Sequence, residues 1–185
     1  MILNLGKSVD SWTIDHGPWS IDYGPSTSTM NTNQLLIRHF YTCFSQRDYY
    51  GMQECYAPDA HFSDPVFRDL DSRQTKAMWE MLCKRGKDLQ IEFSDVRAGE
   101  TNGSANWVAQ YSFSQTGRKV ENKVHAEFEF RNGLFIRHTD HFNFYKWSRQ
   151  ALGFPGWLLG WTPGFQKKVQ QKAAAGLQKF IEQSR

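Results

Sequence analysis

The chain has 185 residues, with 22 Lys and Arg against 19 Asp and Glu, a net charge of +3 and 39% hydrophobic residues. That length and apolar share support one full core and exclude bulk disorder, collagen and coiled coil. Fourteen Phe, seven Trp and seven Tyr exceed what a small core requires, so an aromatic-lined cavity is expected.

Met1 to Leu5 is followed too soon by Asp10, Asp15 and Asp22 to read as a secretory leader, which needs about 7–15 apolar residues. Residues 24–33, GPSTSTMNTN, form a polar low-complexity stretch that cannot offset its own ordering entropy. Residues 1–30 are read as a loose arm, and because Met30 directly precedes the first periodic segment the same pattern fits a start at Met30. From Thr32, the residues Leu36, Phe40, Cys43 and Phe44 fall at helical spacing, with Thr32 or Asn33 as N-cap. A second, short helix near 50–56 is closed by Pro58. Residues 61–67, HFSDPVF, alternate as a short edge strand that puts Asp64 on the face of Phe62 and Val66, although Ser63-Asp64-Pro65 is also a good turn sequence. Residues 72–86 run from a Ser72 cap to Gly86 and carry Ala77, Met78, Met81 and Leu82 on one helical face.

The period then changes to two, at 89–98, 104–114, 120–130 and 134–145, with turn residues at 99–103, Thr116-Gly117 and Asn132-Gly133. Four strands in a meander are predicted. Helices followed by an antiparallel sheet make an α+β plan with the helices on one face. The last hairpin admits two registers. A two-residue loop at Asn132-Gly133 pairs Phe130 with Phe135 and Ala126 with Thr139, mixing polar and apolar. A three-residue loop pairs Phe130 with Leu134, Phe128 with Ile136, Ala126 with His138 and Val124 with Asp140, and it is preferred because one face is then apolar while Glu127 meets Arg137 outside.

In that register Leu134, Ile136, His138, Asp140, Phe142 and Phe144 face inward, so an ionisable pair lies in an aromatic and aliphatic lining. Removal from water raises a carboxylate pKa and a nearby imidazolium lowers it, which suits His138 and Asp140 to proton transfer. The bland alternative is a satisfied polar cluster. Trp107, Tyr111 and Phe113 alternate onto the same kind of face, and Tyr111 can donate to a developing oxyanion. Asp140 and His141 point to opposite strand faces, so the HTDH run at 138–141 does not assemble a metal site. No phosphate loop and no nucleophile elbow is present. Three cysteines, Cys43, Cys55 and Cys83, lack CxxC spacing and read as free thiols in a reducing compartment.

The tail begins with an aromatic, turn-rich segment, Gly153 to Trp161, too short to span a bilayer and expected to cover something. From Pro163 a helix follows with Phe165, Val169, Ala173, Leu177, Phe180 and Ile181 on one stripe and Lys167, Lys168, Lys172 and Lys179 around it. Docking on its own sheet or a partner subunit is the expected use. Membrane-surface attachment, helped by Trp157 and Trp161, is the lesser alternative, and nucleic-acid binding is not expected.

Three stretches together, FYTCFSQRDYYGMQECYAPDAHFSDPVF (40–67), the Trp107 strand and FEFRNGLFIRHTDHFNFY (128–145), resemble the SnoaL-like branch of the nuclear-transport-factor-2-like superfamily, which includes polyketide cyclases, ketosteroid isomerase and limonene epoxide hydrolase. The resemblance covers roughly residues 31–146. It implies a curved sheet wrapped around the N-terminal helices into a cone, a pocket at the open end, and a homodimer through the outer sheet face. Asp140 matches the acidic residue that acts as acid/base in cyclase members. Ala126 stands where the isomerase has an acidic donor and cannot donate; the epoxide hydrolase's Asp-Arg-Asp set is not reproduced, since Arg137 faces outward.

The resulting expectation is a cytoplasmic, cofactor-independent domain at 31–146, flanked by the arm and by an aromatic loop and helix at 147–185. It binds a small, apolar, carbonyl-type molecule. Asp140 and His138 are the catalytic candidates of an isomerase, cyclase or hydrolase, and Tyr111, Trp107, Asp64, Phe128 and Phe142 the substrate-binding ones. The alternative is a non-catalytic ligand-binding or dimerisation module of the same fold.

Overall fold

A computed structural model of the chain describes residues 31–184; the arm read at 1–30 lies outside the described residues. Two helices open the fold, α1 (Thr32–Ser45) and α2 (Tyr49–Glu54), followed by strand β1 (Tyr56–Ser63) and helix α3 (Ser72–Arg85). Strands β2 (Gln90–Ala98), β3 (Asn102–Ser112), β4 (Lys119–Arg131) and β5 (Leu134–His141) make the meander. Helices α4 (Phe144–Leu152), α5 (Phe154–Leu159) and α6 (Pro163–Gln183) complete it. The sheet order is β1-β5-β4-β3-β2, with β1 parallel to β5 and the other neighbours antiparallel. This is the predicted α+β plan, as an open, mixed five-stranded sheet.

Local chemistry explains most boundaries. The α1 cap is Asn31, one residue before the predicted pair, and its side chain accepts from the Asn33 amide at 2.9 Å. Asp71 rather than Ser72 caps α3, in a reciprocal capping box with Gln74. Ser72 instead donates to the Ala57 carbonyl at 2.9 Å and ties α3 to β1. Pro163 sits at N1 of α6, behind a Thr162 cap.

Four sequence expectations are corrected. Tyr56 begins β1 instead of ending α2; Pro58 is tolerated because β1 is an edge strand whose pairing with β5 is interrupted between Tyr56 and His61. The strand ends at Ser63, and Asp64 lies in the following turn. In the last hairpin Asn132 and Gly133 both have positive φ, 53° and 73°, so the loop has two residues and Arg131 pairs with Leu134. Beyond a bulge that leaves Ile136 unpaired, the register becomes Glu129–Arg137, Phe128–His138 and Ala126–Asp140. Phe135 is therefore fully buried beside His138, while Leu134 and Ile136 are only partly covered. Arg137 reaches Glu129 at 3.2 Å, not Glu127, which pairs instead with His141. Finally, β5 stops at His141 because the Asn143 side chain caps α4 through the Lys146 amide at 2.8 Å. Phe144 is thus a helical core residue.

The core lies between α1, α3 and the concave face of the sheet. Ile37, Phe40, Tyr41 and Phe44 of α1 are essentially fully buried. The Phe40 ring meets Trp79, Phe135 and His138 edge-on at 5.4–5.5 Å. A smaller cluster, Val120, Phe144, Trp147 and Ala151, fixes α4 on the sheet.

Candidate active site

Alternation along β5 puts His138 and Asp140 on the concave face, and both are buried, at 0% and 3% exposure. They join side chains far apart in sequence. Trp79 of α3 donates its indole N–H to Tyr56 Oη at 2.9 Å, and Tyr56 Oη lies 2.6 Å from His138 Nδ1. His138 Nε2 is 3.1 Å from Asp140 Oδ1, and Trp107 Nε1 donates to the same oxygen at 3.2 Å. The hydrogens can be placed by elimination. Because Tyr56 accepts from Trp79, its own hydrogen goes to Nδ1, and the tautomer with hydrogen on Nε2 then donates to Asp140. Burial, with the charge of Asp140 adding to it, holds the Tyr56 hydroxyl well above its ordinary pKa, so it keeps that proton.

Asp140 Oδ1 therefore receives two N–H donors, and among the described residues no protein donor reaches Oδ2. Asp140 lines a cavity of about 630 Å³ between the sheet, α3 and the C-terminal helices. Trp107, Ala109 and Tyr111 of β3 form one wall, and Phe62 and Asp64 form another. Trp147 of α4 and Phe165, Val169 and Ala173 of α6 close the far side. Gln166 and Gln170 of α6 both donate to the Pro65 carbonyl, at 3.1 and 2.9 Å, which holds α6 across the Asp64 turn.

Asp64 combines the two roles weighed from sequence. Its Oδ1 accepts from the Val66 amide at 2.6 Å and from the Phe67 amide, an Asx turn, while its side chain also lines the cavity. Desolvation, with the charge of Asp140 adding to it and the two amide bonds working against it, raises its pKa to about 7. Tyr111 accepts from the Trp147 indole at 2.9 Å, which leaves its O–H hydrogen free for a cavity ligand, and burial raises its pKa.

Of the sequence-predicted site residues, Asp140, Asp64, Trp107, Tyr111 and Phe142 all line this cavity. His138 does not; it stands fully buried behind Asp140. Phe128 is also off the cavity wall, stacked on Phe135 at a centroid distance of 4.6 Å and tilted against His138 at 4.3 Å. Tyr56, Trp79 and Trp147 join the site without a place in the sequence pattern that identifies it. Alternation in β1 is clear only at Ala60 and Phe62, since Tyr56 and Ala57 are both buried and Pro58 is exposed, so period two does not mark Tyr56. Among the described residues, no group of three or more His, Cys, Asp or Glu is gathered as a metal would require. Cys43, Cys55 and Cys83 are buried free thiols, with Cys55 and Cys83 pushed up to about 12 by desolvation. Such thiols are poor nucleophiles.

Comparison with known structures places this geometry in a fold. An NTF2-like protein of unknown function from Burkholderia pseudomallei is similar over 62% of this chain and 92% of its own, at 18% identity and TM-score 0.55. A putative polyketide cyclase from Silicibacter sp. is similar over 65% and 95%, at 16% identity and TM-score 0.56. A Mycobacterium tuberculosis LEH-like epoxide hydrolase is similar over 69% and 96%, at 14% identity and TM-score 0.54. At such identities the likeness is one of fold. No curated protein sequence matches the chain. The profile of the SnoaL-like domain matches residues 37–138, more than half of the chain, and takes in Asp64, Trp107, Tyr111 and His138. On that match the chain belongs to the SnoaL-like domain family.

Proposed function

We propose that the protein binds a small, mainly apolar carbonyl compound in the cavity and catalyses its acid/base conversion, as an isomerase, cyclase or hydrolase, with no cofactor in the proton-transfer steps. The observation that carries this reading is the pairing of two carboxyl groups in one aromatic cavity under different conditions. Asp140 is held by two N–H donors with one oxygen free, while Asp64 keeps its proton up to about pH 7. Two carboxyl groups in one cavity, one with an oxygen open to a ligand and one able to donate a proton, can divide the roles of base and acid.

Asp140 Oδ2 takes the proton from a carbon next to the bound carbonyl. The charge that develops on the carbonyl oxygen is met by the Asp64 carboxyl proton and the Tyr111 hydroxyl. His138 acts as a positioning residue: Tyr56 and Trp79 lock its ring, and its Nε2 hydrogen fixes the plane of Asp140. The aromatic walls exclude water, which strengthens each of these interactions.

The test uses a bicyclic aromatic β-diketone as probe, followed by deuterium exchange of its acidic C–H in heavy water. Asp140→Asn should lower exchange by about 10²-fold or more while the probe still quenches cavity tryptophan fluorescence. Activity should be present below pH 7 and fall as Asp64 ionises above it; Asp64→Asn should remove that limb. Unchanged exchange in Asp140→Asn would remove the catalytic assignment. A second reading, a binding module without chemistry, draws on the complete burial of His138, whose hydrogen bonds are all made within the protein. Probe binding by wild type with no exchange above the solvent rate would favour it.

A further inference from the structure

The segment after β5 carries its large apolar side chains the wrong way round for a packed element. Gly156 of α5 and Gly160 just after it face the protein: a Cβ on Gly156 would lie 1.9 Å from the Ser148 carbonyl oxygen, and one on Gly160 would lie 2.1 Å from Ser148 Oγ. Glycine is thus required on the inner side of this turn, and close docking on α4 turns the opposite side outward. There Phe154 and Trp161 are each 70% exposed, Trp157 53%, Leu158 48% and Leu159 44%. The sequence expectation that this segment covers part of the protein is not met by these five residues. The protrusion is also held in place. Tyr145 Oη donates to the Trp157 carbonyl at 3.1 Å, Phe154 stacks on Trp157 at 6.0 Å, and the Trp161 indole donates to the Leu158 carbonyl at 3.1 Å.

Its surroundings are mainly basic. Residues 142–181 contain Lys146, Arg149, Lys167, Lys168, Lys172 and Lys179 and not one Asp or Glu. Arg118, Lys119, Lys146 and Arg149 border Phe154 and Trp157. Asp88 pairs with Lys119 at 2.7 Å, and Glu121, which lies against Gln150, is the other acid close by. Bulky aromatic and aliphatic side chains ringed by Lys and Arg, on a chain without a helix long and apolar enough to cross a bilayer among the described residues, match the requirements of the lipid interface. The rings enter the acyl boundary and the cations meet anionic headgroups.

We infer that α5 and the adjoining face of α4 and α6 form a peripheral docking surface for anionic phospholipid membranes. The sequence favours docking over membrane attachment through Trp157 and Trp161; the exposure of both rings supports the attachment instead. The surface adjoins the cavity: Leu152, Pro155 and Phe165, next to the exposed rings, also line it. An apolar ligand therefore has a short route from lipid to site. This surface stands independently of any chemistry at Asp140.

Co-sedimentation of the full chain with phosphatidylcholine vesicles, with and without about one third phosphatidylserine, tests it. Binding should require the anionic lipid, blue-shift tryptophan emission and weaken as salt is raised. Trp157→Ala/Trp161→Ala should lower partitioning about tenfold, and Lys146→Glu/Arg149→Glu should lower it comparably, with near-ultraviolet circular dichroism from buried aromatics retained. Since all four side chains lie outside the core, loss of binding does not reflect unfolding. Absence of vesicle binding by wild type overturns the inference. So does binding that both variants retain, or a dimer, seen by light scattering, that is lost in Trp157→Ala/Trp161→Ala while no vesicle binding occurs.

Discussion

At Asp140 the two carboxylate oxygens differ: Oδ1 is anchored through Trp107 and His138, while among the described residues no protein donor reaches Oδ2. Asp64 reaches the same cavity from a turn, where desolvation outweighs two amide donors and lifts its pKa to about 7. This has a consequence for stability. Between about pH 4 and 7 folded Asp64 holds a proton that the unfolded chain releases, so its contribution favours the fold below pH 4 and is lost as pH rises through 7. Asp64→Asn should accordingly flatten the decline of Tm between pH 5 and 7 relative to wild type, measured by calorimetry. An equal slope in both proteins would show that Asp64 is solvated. Spacing alone singled out Asp140 and Asp64, since a carboxylate among aromatics stands out in any apolar strand pattern. The raised pKa of Asp64 was not legible, because it depends on cover supplied by α6, about a hundred residues later.

Among the elements, the β4–β5 hairpin shows how a site survives an error of register. A slip of two residues preserves which face each side chain occupies, so His138 and Asp140 point inward both in the register preferred from sequence and in the structure. The bulge at Ile136 is a different matter: it changes phase within the strand and buries Phe135, which strict alternation puts outside. Turn chemistry specifies the bend. Gly133, at φ 73° with open space around it, should lose about 1 kcal/mol on substitution by Ala, because a Cβ is strained there without meeting any neighbour. Urea denaturation with an unchanged m-value would confirm that only the turn is affected.

For the molecule as a whole, α6 joins core and cavity. Leu177 is 2% exposed and packs into the main core, with Phe180 and Ile181 beside it. Ala173 and Val169, one and two turns earlier, line the cavity. Leu177→Ala should cost about 2–5 kcal/mol, and it should loosen the far wall as well, read as faster amide exchange in α6 and weaker probe binding. Destabilisation without either change would mean that α6 covers the core and leaves the cavity alone.

Local chemistry in the chain was enough for the α+β plan, the existence of α3, the Pro163 start of α6, the meander and the shared face of His138 and Asp140. Each of these is set by neighbours within a few residues: a side chain that caps its own helix, a turn that needs positive φ, an alternation of period two. Folding in three dimensions settled the rest. Tyr56 meets His138 across 82 positions, Trp107 meets Asp140 across 33, and Gln170 closes α6 over Pro65 across 105. No local period encodes such meetings, and the same holds for the outward turn of α5, which follows from two glycines pressed against Ser148.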